Sequence, residues 1–278
     1  MPANDPILYA VAGGVATLTI NAPAAGNSLT GDMRDRLALL LEDASADPSV
    51  RAVVITGAGD RHFCTGAQLG RPADSGPTAS GTERPEGAPE RIMGDAARLI
   101  RRGWPRLVAA VLDCEKPVIA AVNGTAAGGG AQLVLACDLV VMAEGARLIE
   151  VFVRRGIIPD AGGAYLLPRI VGLQKAKELM FFGDDVGAAE AQRLGLCNRV
   201  VPASELAEEV DEWALRLASA PTRTLAMTKW LLNRSFESSR ATAFEEEAFA
   251  QELVTGTEDS REGITAFVER RPPVYRGW

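Results

Sequence analysis

Two separated segments hold the residues best suited to chemistry. They are Arg61-His-Phe-Cys-Thr-Gly-Ala-Gln68 and Asn123-Gly-Thr-Ala-Ala-Gly-Gly-Gly-Ala-Gln132. Both present small residues, so their backbone N–H groups can approach a ligand closely. Two such donors converging on one oxygen make an oxyanion hole, a device that stabilises negative charge as it develops in a reaction. The second segment opens a helical stretch, Gly130 to Cys137, and a helix dipole there would strengthen the donor at its start. No glutamate stands beside the triple glycine, where Gln132 sits.

These loops need a scaffold. Each follows an apolar, strand-like run, Ala52 to Thr56 and Val118 to Val122. Upstream, Ile7 to Ala12 and Val15 to Ile20 flank Gly13-Gly14, a hairpin signal. Met33, Leu37, Leu40, Leu41 and Ala44 recur at helical spacing and predict an amphipathic helix. Residues 71 to 91 are dense in Pro, Gly, Ser and charge, and are expected to form a loop. One helix is predicted near Ile92 to Leu112, then a strand from Pro117, the glycine loop with its helix, and a strand from Asp138 to Ala143. Strand, loop and helix thus recur, as in stacked β-containing turns. From Leu173 onward the chain reads as almost entirely helical. Leu206, Val210, Trp213, Ala214 and Leu217 keep helical spacing in this part.

Composition narrows the function classes. The chain has 278 residues, 47% of them hydrophobic and 23% charged, within the range of a soluble globular protein. A formal net charge of −7 argues against nucleic acid and against an anionic membrane surface. No apolar run reaches the ~20 residues of a membrane span, and the first residues lack a secretory signal pattern. Cys64, Cys114, Cys137 and Cys197 show no CxxC spacing, so free thiols in a reducing cytoplasm are expected. The single histidine, His62, argues against zinc.

Several stretches in fixed order carry a family resemblance. They are Thr17-Leu-Thr-Ile-Asn-Ala-Pro23, Val53-Val-Ile-Thr-Gly-Ala-Gly59, Phe63-Cys-Thr-Gly-Ala67, Lys116-Pro-Val-Ile-Ala-Ala-Val-Asn-Gly124, Ala136-Cys-Asp-Leu-Val140 and Gly156-Ile-Ile-Pro-Asp-Ala-Gly-Gly163. With these, the chain resembles the crotonase superfamily, the enoyl-CoA hydratase/isomerase family, from about Val15 to Arg271. The resemblance implies an α/β fold, a spiral of ββα turns over residues 1–200. It also implies a C-terminal helical trimerisation region over 201–278, giving a homotrimer or a dimer of trimers. The implied substrate is an acyl-CoA thioester, with coenzyme A arriving as part of the substrate and no permanently bound cofactor.

Matched onto this sequence, the family motif makes the amides of Ala67 and Gly129 the oxyanion donors. It places Arg61, near the CoA phosphates, with Phe63, Gln68, Leu69, Gln132 and Phe152 at the substrate. The departures are informative. The two glutamates with which the hydratases of this fold hold and activate water fall at Gln132 and Phe152, and neither residue can do acid–base work. Glu150, two residues before Phe152, is read as solvated or structural, and Asp138 as a structural residue at a strand start. One carboxylate is well placed, Asp160 in Ile158-Pro-Asp-Ala-Gly-Gly163. An aspartate here, with an aromatic at the preceding glutamate position, resembles the isomerase branch that includes 1,2-epoxyphenylacetyl-CoA isomerase. Asp160 is equally suited to cap a helix beginning near Ala161.

The leading expectation is an acyl-CoA isomerase working through Asp160, with Phe152 and Leu166 against the acyl chain. The alternatives are a hydratase with a relocated carboxylate, Glu150 or Asp160, and a CoA-thioester-binding protein without turnover.

Overall fold

The computed structural model describes residues 5–68, 87 and 94–278. The chain opens with the expected hairpin, β1 (Ile7–Ala12) and β2 (Val15–Ile20), paired antiparallel across Gly13-Gly14. Helix α1 (Gly31–Ala46) follows, capped by Thr30, whose hydroxyl accepts the Met33 N–H at 3.2 Å. Its buried face holds Met33, Leu37, Leu40, Leu41 and Ala44, the residues whose spacing marked the helix.

Three strand pairs then repeat one plan. They are β3 (Ala52–Gly57) with β4 (His62–Cys64), β5 (Val118–Val122) with β6 (Thr125–Ala127), and β7 (Leu139–Ala143) with β8 (Arg147–Ile149). The first strand of each pair enters one sheet and the second enters another. After β4 come α2 (Asp95–Arg102) and α3 (Trp104–Leu112). After β6 comes α4 (Gly129–Ala136). After β8 come a 3-10 turn (Val151–Arg155), α5 (Gly163–Val171) and α6 (Leu173–Phe182). This is the spiral of ββα turns that the resemblance implies. Strands β9 (Asp185–Gly187) and β10 (Arg199–Val201), with α7 (Ala188–Arg193) between them, complete two sheets. Their orders are β1-β2-β3-β5-β7-β10 and β4-β6-β8-β9. Beyond the hairpin the larger sheet is parallel. Its central strands are covered on both faces, which is why β3, β5 and β7 are nearly continuous in apolar residues.

The single helix expected over Ile92 to Leu112 is instead two helices meeting at Gly103; residues 88–93 lie outside those described. Pro105 explains the break. It lacks an N–H and its ring would clash with the carbonyl four residues back, so it is tolerated only in the first turn of a new helix. The second half of the chain is also less purely helical than expected, since β9 and β10 interrupt it.

Helix α8 (Leu206–Ala218) packs on the larger sheet with Leu206, Val210, Ala214 and Ala218 buried. Helices α9 (Thr222–Arg234), α10 (Arg240–Thr255) and α11 (Glu258–Glu269) follow. Lys229 ties α9 to the core. Its ammonium donates to Asp138 Oδ2 at 2.7 Å and to the Val111 carbonyl at 2.9 Å. The same Asp138 oxygen accepts the Val118 N–H at 2.7 Å. Asp138 is therefore the structural residue expected at the start of β7. Further out, α10 and α11 leave Phe244, Phe249, Leu253, Ile264 and Phe267 exposed.

Candidate active site

Strands β4 and β6 pair in parallel, so the two glycine-bearing loops that follow them leave the same sheet edge side by side. Two asparagines fix the approach to β4. Asn27 Nδ2 donates to the Ala58 carbonyl at 3.0 Å and to the His62 carbonyl at 2.6 Å. Asn123 Nδ2 donates to the carbonyls of Gly57 at 2.9 Å and Gly59 at 2.7 Å. Beyond the strands the backbone turns through Gly66 (φ +93°) and Gly128 (φ +54°), a region that side chains strain to adopt. Their close approach matters too. A Cβ on Gly66 would sit 3.3 Å from the Gly129 nitrogen, and one on Gly128 would sit 3.2 Å from Val151 Cγ1.

Ala67 and Gly129 come together at a cavity of about 560 Å³, whose wall also includes Gln68, Trp104, Phe152 and Asp160. Among the described residues neither the Ala67 nor the Gly129 N–H has an acceptor. Ala67 uses no backbone partner because its neighbours take the bridge to Leu29: the Gly66 carbonyl accepts the Leu29 N–H at 2.8 Å, and the Gln68 N–H donates to the Leu29 carbonyl at 3.0 Å. Gly129 is the first residue of α4, where no intrahelical acceptor exists. Two free amides on one cavity wall, one at a helix N-terminus, are what an oxyanion hole requires.

Among the described residues, Asp160 is the only acidic one lining this cavity. It is partly buried, and its carboxylate has no hydrogen-bond or ion-pair partner among the described residues. It does not cap a helix. Helix α5 begins at Gly163 behind an N-cap glycine, Gly162, with no side-chain cap bond. The capping expectation is therefore corrected: Gly162 in the left-handed region turns the chain two residues after Asp160 and leaves the carboxylate free. Phe152 is buried, with its ring tip beside Gly128.

The remaining expected residues fall elsewhere. Phe63 is fully buried in the core, as is the next residue, Cys64. Arg61 is exposed and does not line the cavity. Leu69 lies outside the described residues, as does nearly all of the 71–91 segment. Leu166 faces a different cavity, between α5 and α9. Trp104 was missed by sequence reasoning. It covers Gly129 so closely that a Cβ there would lie 2.6 Å from its ring. The Gly103-Trp-Pro105 break in a helical run was the only signal for it.

Gln132 is fully buried and does not line the cavity. Its Nε2 donates to Glu150 Oε2 at 3.1 Å, and its Oε1 accepts the Gly163 N–H at 2.9 Å. Glu150 is thus not solvated. Burial, only partly offset by the Gln132 bond, pushes its carboxyl up from 4.5 to about 7. A carboxyl raised on folding keeps its proton in the native state where the unfolded chain has released it. Its stabilising contribution is therefore full below about pH 4.5 and is lost as pH rises to about 7. The charged form costs on the order of 3 kcal/mol. Glu150→Gln removes that cost but leaves one amide N–H unpaired, an offset of about 1 kcal/mol. The gain in Tm of the variant over the native protein is expected to grow between about pH 4.5 and 7, then level off. A gain independent of pH in thermal melts would contradict the burial of an ionisable Glu150.

The comparisons with known proteins agree with this geometry. The family model described as enoyl-CoA hydratase/isomerase matches residues 10–277. The chain belongs to the enoyl-CoA hydratase/isomerase family. It is 36% identical over 272 residues to the 1,2-epoxyphenylacetyl-CoA isomerase of Escherichia coli K12, covering 98% of each chain. It is 35% identical over 271 residues to a probable enoyl-CoA hydratase of Rhodobacter capsulatus, again covering 98% of each. Among solved structures, the enoyl-CoA hydratase from Bacillus anthracis superposes with a TM-score of 0.87 at 32% identity, covering 99% of this chain and 100% of that one. As a member of this family the protein is an enzyme acting on acyl-CoA thioesters.

Proposed function

We propose that the protein is an acyl-CoA isomerase in which Asp160 is the only acid–base group. With a 3-enoyl-CoA, the Asp160 carboxylate removes a proton from the α-carbon. The electron pair moves into the thioester carbonyl, whose oxygen accepts the N–H groups of Ala67 and Gly129. The resulting dienolate takes the proton back from Asp160 at its γ-carbon, and the double bond moves into conjugation with the thioester. No water is consumed. One carboxylate suffices because the same proton leaves and returns. Ring isomerisation of an acyl-CoA would use the same enolate chemistry.

The observation that supports this most is the sharing of one cavity by two unpaired amides and a single unpaired carboxylate. Gln68, Phe152 and Trp104 line the same wall and would contact the thioester and the acyl chain; exposed Arg61, outside the cavity lining, would meet CoA. A hydratase working through Glu150 is less well supported, since that carboxyl is buried, bonded to Gln132 and absent from the cavity wall. Asp160 activating water is the remaining hydratase alternative. The test is to offer a 2-enoyl-CoA and a 3-enoyl-CoA in turn and weigh the products. An isobaric product from the 3-enoyl-CoA supports isomerisation. A gain of one water would replace it with hydration, and tight binding without product would leave a thioester-binding protein.

The exposed apolar residues of α10 and α11 fit burial between copies, and a homotrimer or a dimer of trimers is proposed. Light scattering is expected to give a multiple of three chain masses; a monomer would remove this part. The free thiols are in keeping with a cytoplasmic setting.

A further inference from the structure

The buried link from Glu150 through Gln132 to Gly163 plays no part in the chemistry above, yet it joins the two halves of the site. Gln132 lies three residues after Gly129, within one turn of α4. Gly163 lies three residues after Asp160 and opens α5. The 2.9 Å bond from the Gly163 N–H to Gln132 Oε1 therefore spans from the oxyanion helix to the base of the Asp160 loop. The carboxamide lies against that loop so tightly that a Cβ on Gly163 would overlap it. Glu150, at the end of β8, accepts the other side of the amide at 3.1 Å.

The residue type is specific to this task. A carboxamide carries a donor and an acceptor, so it can serve Glu150 and Gly163 at once. The Gly163 N–H can only donate, which holds Oε1 toward it and leaves Nε2 for a carboxyl oxygen of Glu150. A leucine would leave a buried carboxyl and a buried N–H unpaired. A glutamate alone would set two carboxyl groups against each other.

We propose that Gln132 is a positioning residue that sets the distance between the Gly129 amide and the Asp160 carboxylate, with Glu150 holding the other end of its carboxamide. The inference rests on Asp160 being the base. It removes Gln132 from the residues that touch substrate and gives it a part in turnover.

The experiment compares Gln132→Leu, Gln132→Asn and the exchange Gln132→Glu/Glu150→Gln, with 3-enoyl-CoA as substrate and Tm measured alongside. A reacting pair displaced by about 1 Å loses about 10²-fold in rate. Gln132→Leu and Gln132→Asn are expected to lower kcat by about 10- to 100-fold with KM within about three-fold. The exchange restores both hydrogen bonds with their direction reversed at Glu150, so kcat is expected to return to within about three-fold of the native value. Native kcat in Gln132→Asn would overturn the proposal, whether or not Gln132→Leu folds. So would an exchange variant that regains Tm without kcat, which marks a purely structural residue. Asp160→Asn serves as the control. If that variant is fully active, the assignment of the base has failed. If it is inactive while Gln132→Asn is native-like, only the positioning role has failed.

Discussion

Asp160→Asn is expected to lower turnover of a 3-enoyl-CoA by about 10²- to 10⁴-fold, the usual contribution of a positioned acid–base group, with KM nearly unchanged. The size of the effect follows from Asp160 having no second acid beside it among the described residues of the cavity wall. Among the described residues Asp160 is the only carboxylate there, and Glu150 is bonded to Gln132 and does not line the cavity. Asparagine keeps the shape and the polarity of the side chain but cannot carry the proton. The fold should tolerate the change, because the Asp160 carboxylate neither caps α5 nor bonds to any described residue. A native Tm with lost turnover would separate chemistry from stability. A kcat within a few-fold of native would move the base elsewhere.

Gly129→Val is expected to cost about 10²- to 10³-fold in kcat, comparable to losing one oxyanion donor. The first atom of the new side chain would lie 2.6 Å from the Trp104 ring. Either the indole moves or the start of α4 moves, and the second shifts the amide away from the thioester oxygen. The neighbouring glycine provides a contrast. At Gly130 a Cβ would run into the Cys64 carbonyl, which is backbone and cannot yield, so Gly130→Val should fail to fold. The double variant Gly129→Ala/Trp104→Ala separates steric crowding from donor geometry. If removing the indole restores turnover, crowding by Trp104 is what displaced the amide; turnover still lost without the indole would place the effect in the backbone at the start of α4 itself.

Much of the fold was legible because its signals are local. The Gly13-Gly14 hairpin, the α1 face and the apolar parallel strands β3, β5 and β7 each follow from spacing or propensity within one element. The proposed oxyanion pair, Ala67 and Gly129, drew on a related signal. A strand that ends in small residues states where backbone can be reached, and the family motif supplied the two positions. What the sequence could not give was convergence across elements. Gln132 reads as a substrate contact because the first family glutamate falls on it. Only the folded chain brings Glu150 and Gly163 to either side of it. Phe63 shares a segment with Ala67, but it lies in the short strand β4, which is buried at both Phe63 and Cys64. Trp104 lies 25 residues before Gly129 with a helix break between it and α2, and no period connects the two. Asp160 was found by motif, but whether it capped a helix depended on where α5 starts. Gly162 moved that start to Gly163.

The central claim is that one carboxylate, Asp160, moves the proton of a thioester enolate held by Ala67 and Gly129. Hydrogen–deuterium exchange at the α-carbon of a saturated acyl-CoA in heavy water reads this step alone, free of any later bond migration. The native protein is expected to catalyse the exchange, Asp160→Asn to abolish it and Gly129→Val to slow it by about 10²-fold or more. Exchange at the native rate in Asp160→Asn would contradict the account, because some other group would then be carrying the proton.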